Sequence, residues 1–180
     1  MHLNQLIDLQ FEASTIASSM GSALAVMHWA AQTDARDVEF VLGSTIQPVR
    51  SLSAAEAALL PPNTWTGSPS DNLEDFLEIN AAIWVLDFNQ VRPITMDEDG
   101  VALAVEAYKI NDPYFPKPLR DDPMAKKLWN TFATTYFEAS QRILKDEARR
   151  IRVLPVRFLE EVIEMQKGRN LRGMTSEEGL

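Results

Sequence analysis

The chain of 180 residues contains no cysteine and only two histidines, His2 and His28. The first absence removes disulfides, thiolate metal ligands and cysteine nucleophiles. The second leaves too few imidazoles for a histidine-based site, so no zinc is expected. A metal bound here would be a hard, oxygen-ligated ion such as Mg²⁺, and no other cofactor is expected. The N-terminal stretch "MHLNQLIDLQFEAS" has no Lys or Arg ahead of its apolar positions and carries Asp8 and Glu12 instead. A secretory or transit leader has the opposite polarity. No uninterrupted apolar run approaches the roughly 18 residues that span a bilayer. These absences predict a soluble, cytoplasmic protein with no membrane partner. Basic residues are scarce as well: residues 1–104 hold only Arg36, Arg50 and Arg92, beside 14 acidic side chains.

What is present is a globular composition, 46% hydrophobic and 24% charged, in a length that suits one domain with a full core. The net charge of −9 is unevenly spread. Residues 142–172 hold nine basic side chains, Arg149, Arg150 and Arg152 among them, against five acidic ones. Such a segment can bind a polyanion locally on an acidic chain. Its commoner role is a solvated helix face laced by i,i+4 pairs.

Apolar and small residues recur at helical spacing from Leu3 through Ile7, Phe11, Met20, Leu24, Met27 and His28, which predicts one helix over about 3–31. Its middle, "ASTIASSMGSALA", is small enough for another element to pack closely. "VEFVL" (38–42) and "AAIWVLDF" (81–88) read as strands. Between them lies a Pro-, Ser- and Asn-rich insert, about 44–80. It contains Trp65 and a short helix, "SAAEAALL", with Ser53 and Glu56 at capping-box spacing. Thr95 and Glu98 repeat that spacing and start a helix to about Lys109. "NDPYFPKP" (111–118) breaks it. A long amphipathic helix over about 123–147 follows, with Leu128, Trp129, Phe132, Tyr136 and Ile143 as its apolar stripe, then a last helix over about 155–168. The fold class is therefore α+β and predominantly helical, with a small two- to four-stranded β element. One domain covers 1–173, and 174–180 is a frayed tail.

Acidic residues gather at the strand boundaries: Asp34, Asp37 and Glu39 around the turn into the first strand, and Asp87 at the end of the second, followed by Phe88 and Asn89. If the strands pair, these carboxylates converge. They then raise one another's pKa unless a cation neutralises them: Mg²⁺, a Lys or Arg of the chain, or a cationic ligand. Taken singly, Asp34 reads as a turn cap and Glu39 as a solvent-facing edge residue. His28 reads as a core histidine whose hydrogen bond fixes the following loop, with a general base as the alternative. Tyr114 and Phe115 form either a hydrophobic plug or a pocket lining. Trp29, Trp84, Phe88, Trp129, Phe132 and Tyr136 read as core.

The order of these motifs resembles the C-terminal lobe of protein kinases and aminoglycoside phosphotransferases. There a helix leads to a catalytic Asp, a metal-binding Asn five residues on, a strand, and a second strand ending in Asp-Phe-Gly. Asp34 matches the catalytic Asp. Glu39 stands in the Asn position, and "LDFN" (86–89) stands in the Asp-Phe-Gly position. The wording "DVEFVLG", "LDFNQVR" and "NDPYFPKPL" is similar to a fungal family of unknown function, often labelled zinc-finger, and associated with the fungal arginine-containing cyclodipeptide synthases. That resemblance implies an aminoacyl-tRNA partner, with Asp34, Glu39 and Asp87 as the catalytic acids. Asp37, Asn89, His28 and Tyr114 would lie around the substrate, and Arg149, Arg150 and Arg152 would meet tRNA. A kinase-like phosphotransferase lobe, with Mg²⁺ on Glu39 and Asp87, and an inactive lobe binding a small-molecule or peptide ligand stay open beside it.

The departures from the phosphotransferase pattern are a missing Gly-rich loop and a missing strand Lys. Nothing then cradles the β- and γ-phosphates. Titration calorimetry with Mg²⁺ and ATP is expected to detect no binding tighter than millimolar, a threshold of about 4 kcal/mol. Micromolar binding would favour the phosphotransferase reading.

Overall fold

The computed structural model describes residues 12–44, 81–111 and 115–177. Helix α1 (Ala13–Ala25) runs on into a π-helical turn, Val26–Ala30. Strand β1 (Glu39–Ser44) pairs with β2 (Ala81–Leu86) in a two-stranded sheet. Helices α2 (Glu98–Ile110), α3 (Pro123–Ile143), α4 (Arg149–Arg152) and α5 (Leu154–Glu177) follow. The chain divides into two compact units, residues 41–84 and all the rest. The sequence-predicted helix at 53–60, Trp65 and Tyr114 lie outside the described residues, as do His2 and the first turns of the long helix expected from residue 3. The architecture is α+β and mostly helical, as the periodicities predict. Among the described residues no helix is long and apolar enough to cross a membrane.

Helix α1 packs against α3, and α2 and α3 pack against α5. The α1–α3 contact explains the small-residue stretch. A Cβ added at Gly21 would stand 2.5 Å from the Phe132 carbonyl oxygen and 3.0 Å from the Tyr136 nitrogen. The two helix backbones therefore touch at this point, which side chains forbid. Beside the contact, Ser18 and Thr135 exchange a hydroxyl hydrogen bond at 3.2 Å. The apolar stripe of α3 is buried as read: Trp129, Phe132 and Tyr136 lie inside, with Leu128 and Ile143 packed at the edge. Phe158 from α5 and Tyr108 from α2 meet each other edge-on at a centroid distance of 5.7 Å and lie tilted against Tyr136 at 5.0 Å and Phe132 at 6.0 Å, respectively. Such geometry adds about 0.5–1.5 kcal/mol per pair beyond burial. Phe115, from the proline-rich segment, plugs the same core against Phe40, Tyr108 and Phe132.

Several boundaries differ from the sequence reading. The N-cap of α2 is Asp97, not Thr95: its carboxylate accepts from the Gly100 amide at 3.1 Å and from the Thr95 hydroxyl at 2.5 Å. Asp is the stronger cap, and it takes the Thr as a second donor. Helix α3 stops at Ile143, and the basic segment beyond it turns through the separate α4 before α5 begins. Helix α5 runs to Glu177, where the sequence reading ended it near 168 with a frayed tail after 173. Trp84 and Phe88 are 50% and 52% exposed, so neither joins the core as expected. Trp84 lies between the partly buried Ile83 and Val85, as alternation along a strand dictates, and Phe88 falls beyond the end of β2.

Because main chain faces main chain at Gly21, Gly21→Val should cost about 1–3 kcal/mol or more by overpacking. A urea titration should show the midpoint falling with little change in slope. A Gly21→Val variant as stable as the parent would mean that α1 and α3 do not approach this closely.

Candidate functional site

The site is built from one loop and the segment it clasps. Helix α1 ends by widening: the Ala31 amide donates to the Val26 carbonyl, five residues back, at 2.9 Å. Thr33 closes the turn, its amide and hydroxyl both donating to the Met27 carbonyl at 2.9 and 3.2 Å. The wide turn lets three successive side chains, Met27, His28 and Trp29, all be buried. The chain then bends through Gln32, Ala35 and Asp37, whose φ angles of 52°, 55° and 62° are left-handed without a glycine among them. Each such residue costs on the order of 1–2 kcal/mol, so contacts must hold the bend.

Asp34 supplies most of them. Its side chain is 0% exposed. Oδ1 accepts from the amides of Arg36 at 3.1 Å and Arg92 at 2.9 Å, while Oδ2 accepts from Arg92 Nε at 2.6 Å. The main chains are tied as well: the Asp34 amide donates to the Arg92 carbonyl at 3.0 Å, and the Ile94 amide donates to Gln32 at 2.9 Å. A bridge joins Thr33 to Pro93. Glu106 on α2 meets both Arg92 and Arg36 at 3.5 Å. Asn111, just past α2, donates to the Ala35 carbonyl and accepts from the Asp37 amide, both at 2.8 Å. Gln90 donates to the Asp37 carboxylate.

The turn before β1 thus lies beside the segment after β2, as the pairing of the strands implies. The acids it carries have different fates. Asp34 is a turn cap and ion-pair partner, with both oxygens occupied. To act as a base it would have to give up a guanidinium. Glu39 and Asp87 are exposed, and Asp87 stands at a φ of 60° directly after β2. Asp37 is half-buried, and Asn89 is exposed in the turn that follows. Among the described residues no group of three or more His, Asp or Glu could hold a metal ion. Sequence reasoning missed Arg92, Glu106 and Asn111. Arg92 stood in plain view inside "LDFNQVR" as one of three basic residues in an acidic half, and that scarcity was the usable signal.

His28 sits behind the loop, fully buried. Its Nδ1 hydrogen-bonds the Tyr136 hydroxyl at 3.0 Å, and its ring packs edge-on against Phe158 at 4.8 Å. Burial lowers its pKa to about 3, and the charge and main chain of Asp34 only partly oppose that. It is a neutral core histidine at physiological pH, and not a general base. Its Nε2 and the Trp29 Nε1 are buried without a hydrogen-bond partner among the described residues. Burial also pushes the Tyr136 hydroxyl pKa far up, so that hydroxyl stays protonated.

On the basic segment, Arg149, Arg150 and Arg152 are all exposed. None has an ion-pair partner among the described residues, whereas Arg142, Lys145 and Arg157 each pair with a nearby acid. The ordinary reading of the segment therefore holds for its flanks and fails for α4.

Among known families, the model of DUF3669, described as a zinc finger protein, matches residues 83–148, from within β2 to the residue before α4. The chain has no cysteine, its His28 lies inside the core, and His2 lies outside the described residues. No curated protein and no solved structure matches the chain.

The depressed His28 pKa fixes a pH dependence. Unfolded, His28 titrates near 6.5; folded, near 3. Between those values the unfolded chain binds the extra proton, so stability falls as pH drops through this window, by up to about 1.4 kcal/mol per pH unit. His28→Gln removes that dependence. Its stability deficit against the parent, read from urea midpoints, should shrink by about 2–3 kcal/mol between pH 7 and pH 4. A gap that stays constant would mean that His28 is not buried in its neutral form.

Proposed function

We propose that this chain is a tRNA-dependent cyclodipeptide synthase-like protein with the arrangement of a kinase C-terminal lobe, working on an arginyl group. The observation that carries the reading is α4: three exposed arginines without ion-pair partners among the described residues, on a chain of net charge −9. Guanidinium groups left unpaired in an acidic protein are suited to the phosphates of a polyanion. The quoted strings around β1 and β2 supply the second support, through their likeness to the fungal family.

The chemistry needs little from the protein beyond positioning. The amine of one aminoacyl group attacks the ester carbonyl of an aminoacyl-tRNA, and the tRNA 3′ oxygen leaves with the proton. A second attack of amine on the remaining ester closes the six-membered ring and frees the second hydroxyl. Both bonds broken are already activated esters, so no ATP is consumed. Glu39 and Asp87, both exposed, are the groups for the arginyl guanidinium, since a carboxylate binds it bidentately. Asp37 and Asn89 lie beside them in sequence and complete the polar rim. Asp34 and His28 act as positioning residues: one pins the loop through Arg92, and the other supports it from the core.

The test incubates the protein with arginyl-tRNA, other aminoacyl-tRNAs and no ATP, and looks for a cyclic dipeptide by mass. Arg149, Arg150 and Arg152 replaced together by Ala should weaken tRNA binding at least tenfold and flatten its salt dependence, because each neutralised phosphate releases counterion. Glu39→Ala or Asp87→Ala should leave tRNA binding intact and abolish arginine-containing product. Absence of dipeptide would end the synthase reading, whether or not tRNA binds at low salt.

A further inference from the structure

The corner where α3 meets α4 carries more than charge. Gln141 of α3 donates its Nε2 to the Arg152 carbonyl at 3.1 Å, which seats the end of α4 against that face of α3. One helical turn earlier on the same face stands Phe137, 38% exposed. Residues four apart on a helix are neighbours, with Cβ atoms roughly 6 Å from one another. The core does not use this ring: the buried side chains of α3 are Trp129, Phe132, Tyr136 and Ser140. A phenyl ring is thus partly open to solvent one turn from the residue that holds the main chain of α4, the helix that carries the three unpaired arginines. Val153, the residue after Arg152, and Val156 are 42% and 39% exposed and add two small apolar side chains to this stretch.

Charge and ring together select the occupant. A duplex offers phosphates but hides the faces of its bases, so an exposed ring has nothing to take from it. An unpaired strand offers both, and a base stacked on an aromatic side chain is worth a factor of several to about a hundred in affinity. An anionic membrane would also attract the arginines. Insertion needs the apolar face of an amphipathic helix, whereas α4 spans only Arg149–Arg152 and the exposed apolar side chains near it, Phe137, Val153 and Val156, belong to other elements.

We infer that Phe137 and the arginines of α4 form a stacking platform for an unpaired nucleotide, so that this corner takes single-stranded RNA in preference to duplex. This deepens the tRNA reading above and rests on it only for the identity of the RNA. The guanidiniums hold the backbone and fix the affinity scale. The ring takes one base and fixes the preference for an unpaired strand, such as the 3′ end of an acceptor stem.

Fluorescence anisotropy on the full chain tests this, with a labelled single-stranded RNA of about 12 nucleotides and a blunt duplex of the same strand. The single strand should bind more tightly. Phe137→Ala should weaken single-strand binding about tenfold and leave duplex binding and the salt slope unchanged, at a temperature where the circular dichroism of the variant shows it folded. Phe137→Trp should restore or exceed parental binding. The Arg149, Arg150 and Arg152 triple Ala variant should weaken both RNAs and flatten both salt slopes. The inference is overturned if Phe137→Ala affects the two RNAs equally, if it affects neither, or if the duplex binds as well as the single strand. Capture by equimolar phosphatidylcholine–phosphatidylserine vesicles without RNA binding would overturn it in favour of a lipid surface. The two readings fail separately. Single-strand preference without dipeptide sinks the synthase alone, and dipeptide formation undiminished by Phe137→Ala sinks the platform alone.

Discussion

One ion pair constrains the centre of this molecule: Asp34, with no exposed surface, against the side chain of Arg92. A carboxylate taken out of water must be fully satisfied, and here two amides and Nε do it. The pair does not stand alone. Glu106 reaches both Arg92 and Arg36, and Asn111 brackets the loop from the end of α2. Breaking such a pair from one side costs about 3–5 kcal/mol when both partners are buried, and less here because Arg92 is 37% exposed. The stabilisation is comparable to the strain it holds, three left-handed residues without glycine. The loop is over-determined, and that is what lets an unfavourable backbone persist in a single conformation.

That constraint separates the acids by role. A carboxylate with both oxygens engaged cannot also receive a proton or a guanidinium from a ligand, so Asp34 works through the loop it pins. The exposed Glu39 and Asp87 keep their lone pairs for other partners. The His28–Tyr136 hydrogen bond follows the same logic from the core side. A ring held neutral by burial offers direction and not charge, and it joins α3 to the turn that ends α1.

How much of this was legible in the sequence varied with the physics involved. The α3 stripe of Trp129, Phe132 and Tyr136 was readable because burial imposes the helical period on it, and Asp122-Pro123 marks its start with a cap and a proline at the first turn. The close packing at Gly21 was foreshadowed by its small neighbours. Other features depend on choices between near-equal local options. Thr95 and Asp97 were both fit to cap α2, and only the fold selects one. Trp84 and Phe88 looked like core because apolar strands usually are, yet they lie on the exposed side of their segment. The ion pair itself was out of reach. Asp34 and Arg92 are 58 residues apart, and no periodicity links a turn to the far side of an insert. Asp34 as a cap and His28 as a core residue were legible only as the ordinary alternatives to a catalytic role.

The pairing of α1 with α3 has a consequence for how the chain is made. Ser18 and Thr135, which meet across that interface, are separated by 117 residues. A ribosome adding about 5–20 residues per second needs roughly 6–23 s to span that distance. Throughout that time α1 has left the exit site without the surface that covers Met20, Leu24 and Met27. Among the described residues, the backbone contact at Gly21 is made with Phe132 and Tyr136 of α3. Biogenesis of this protein therefore contains an interval in which α1 lacks the partner it has in the folded chain. The cellular factors that shield nascent chains, and the speed at which the intervening codons are read, act on that interval.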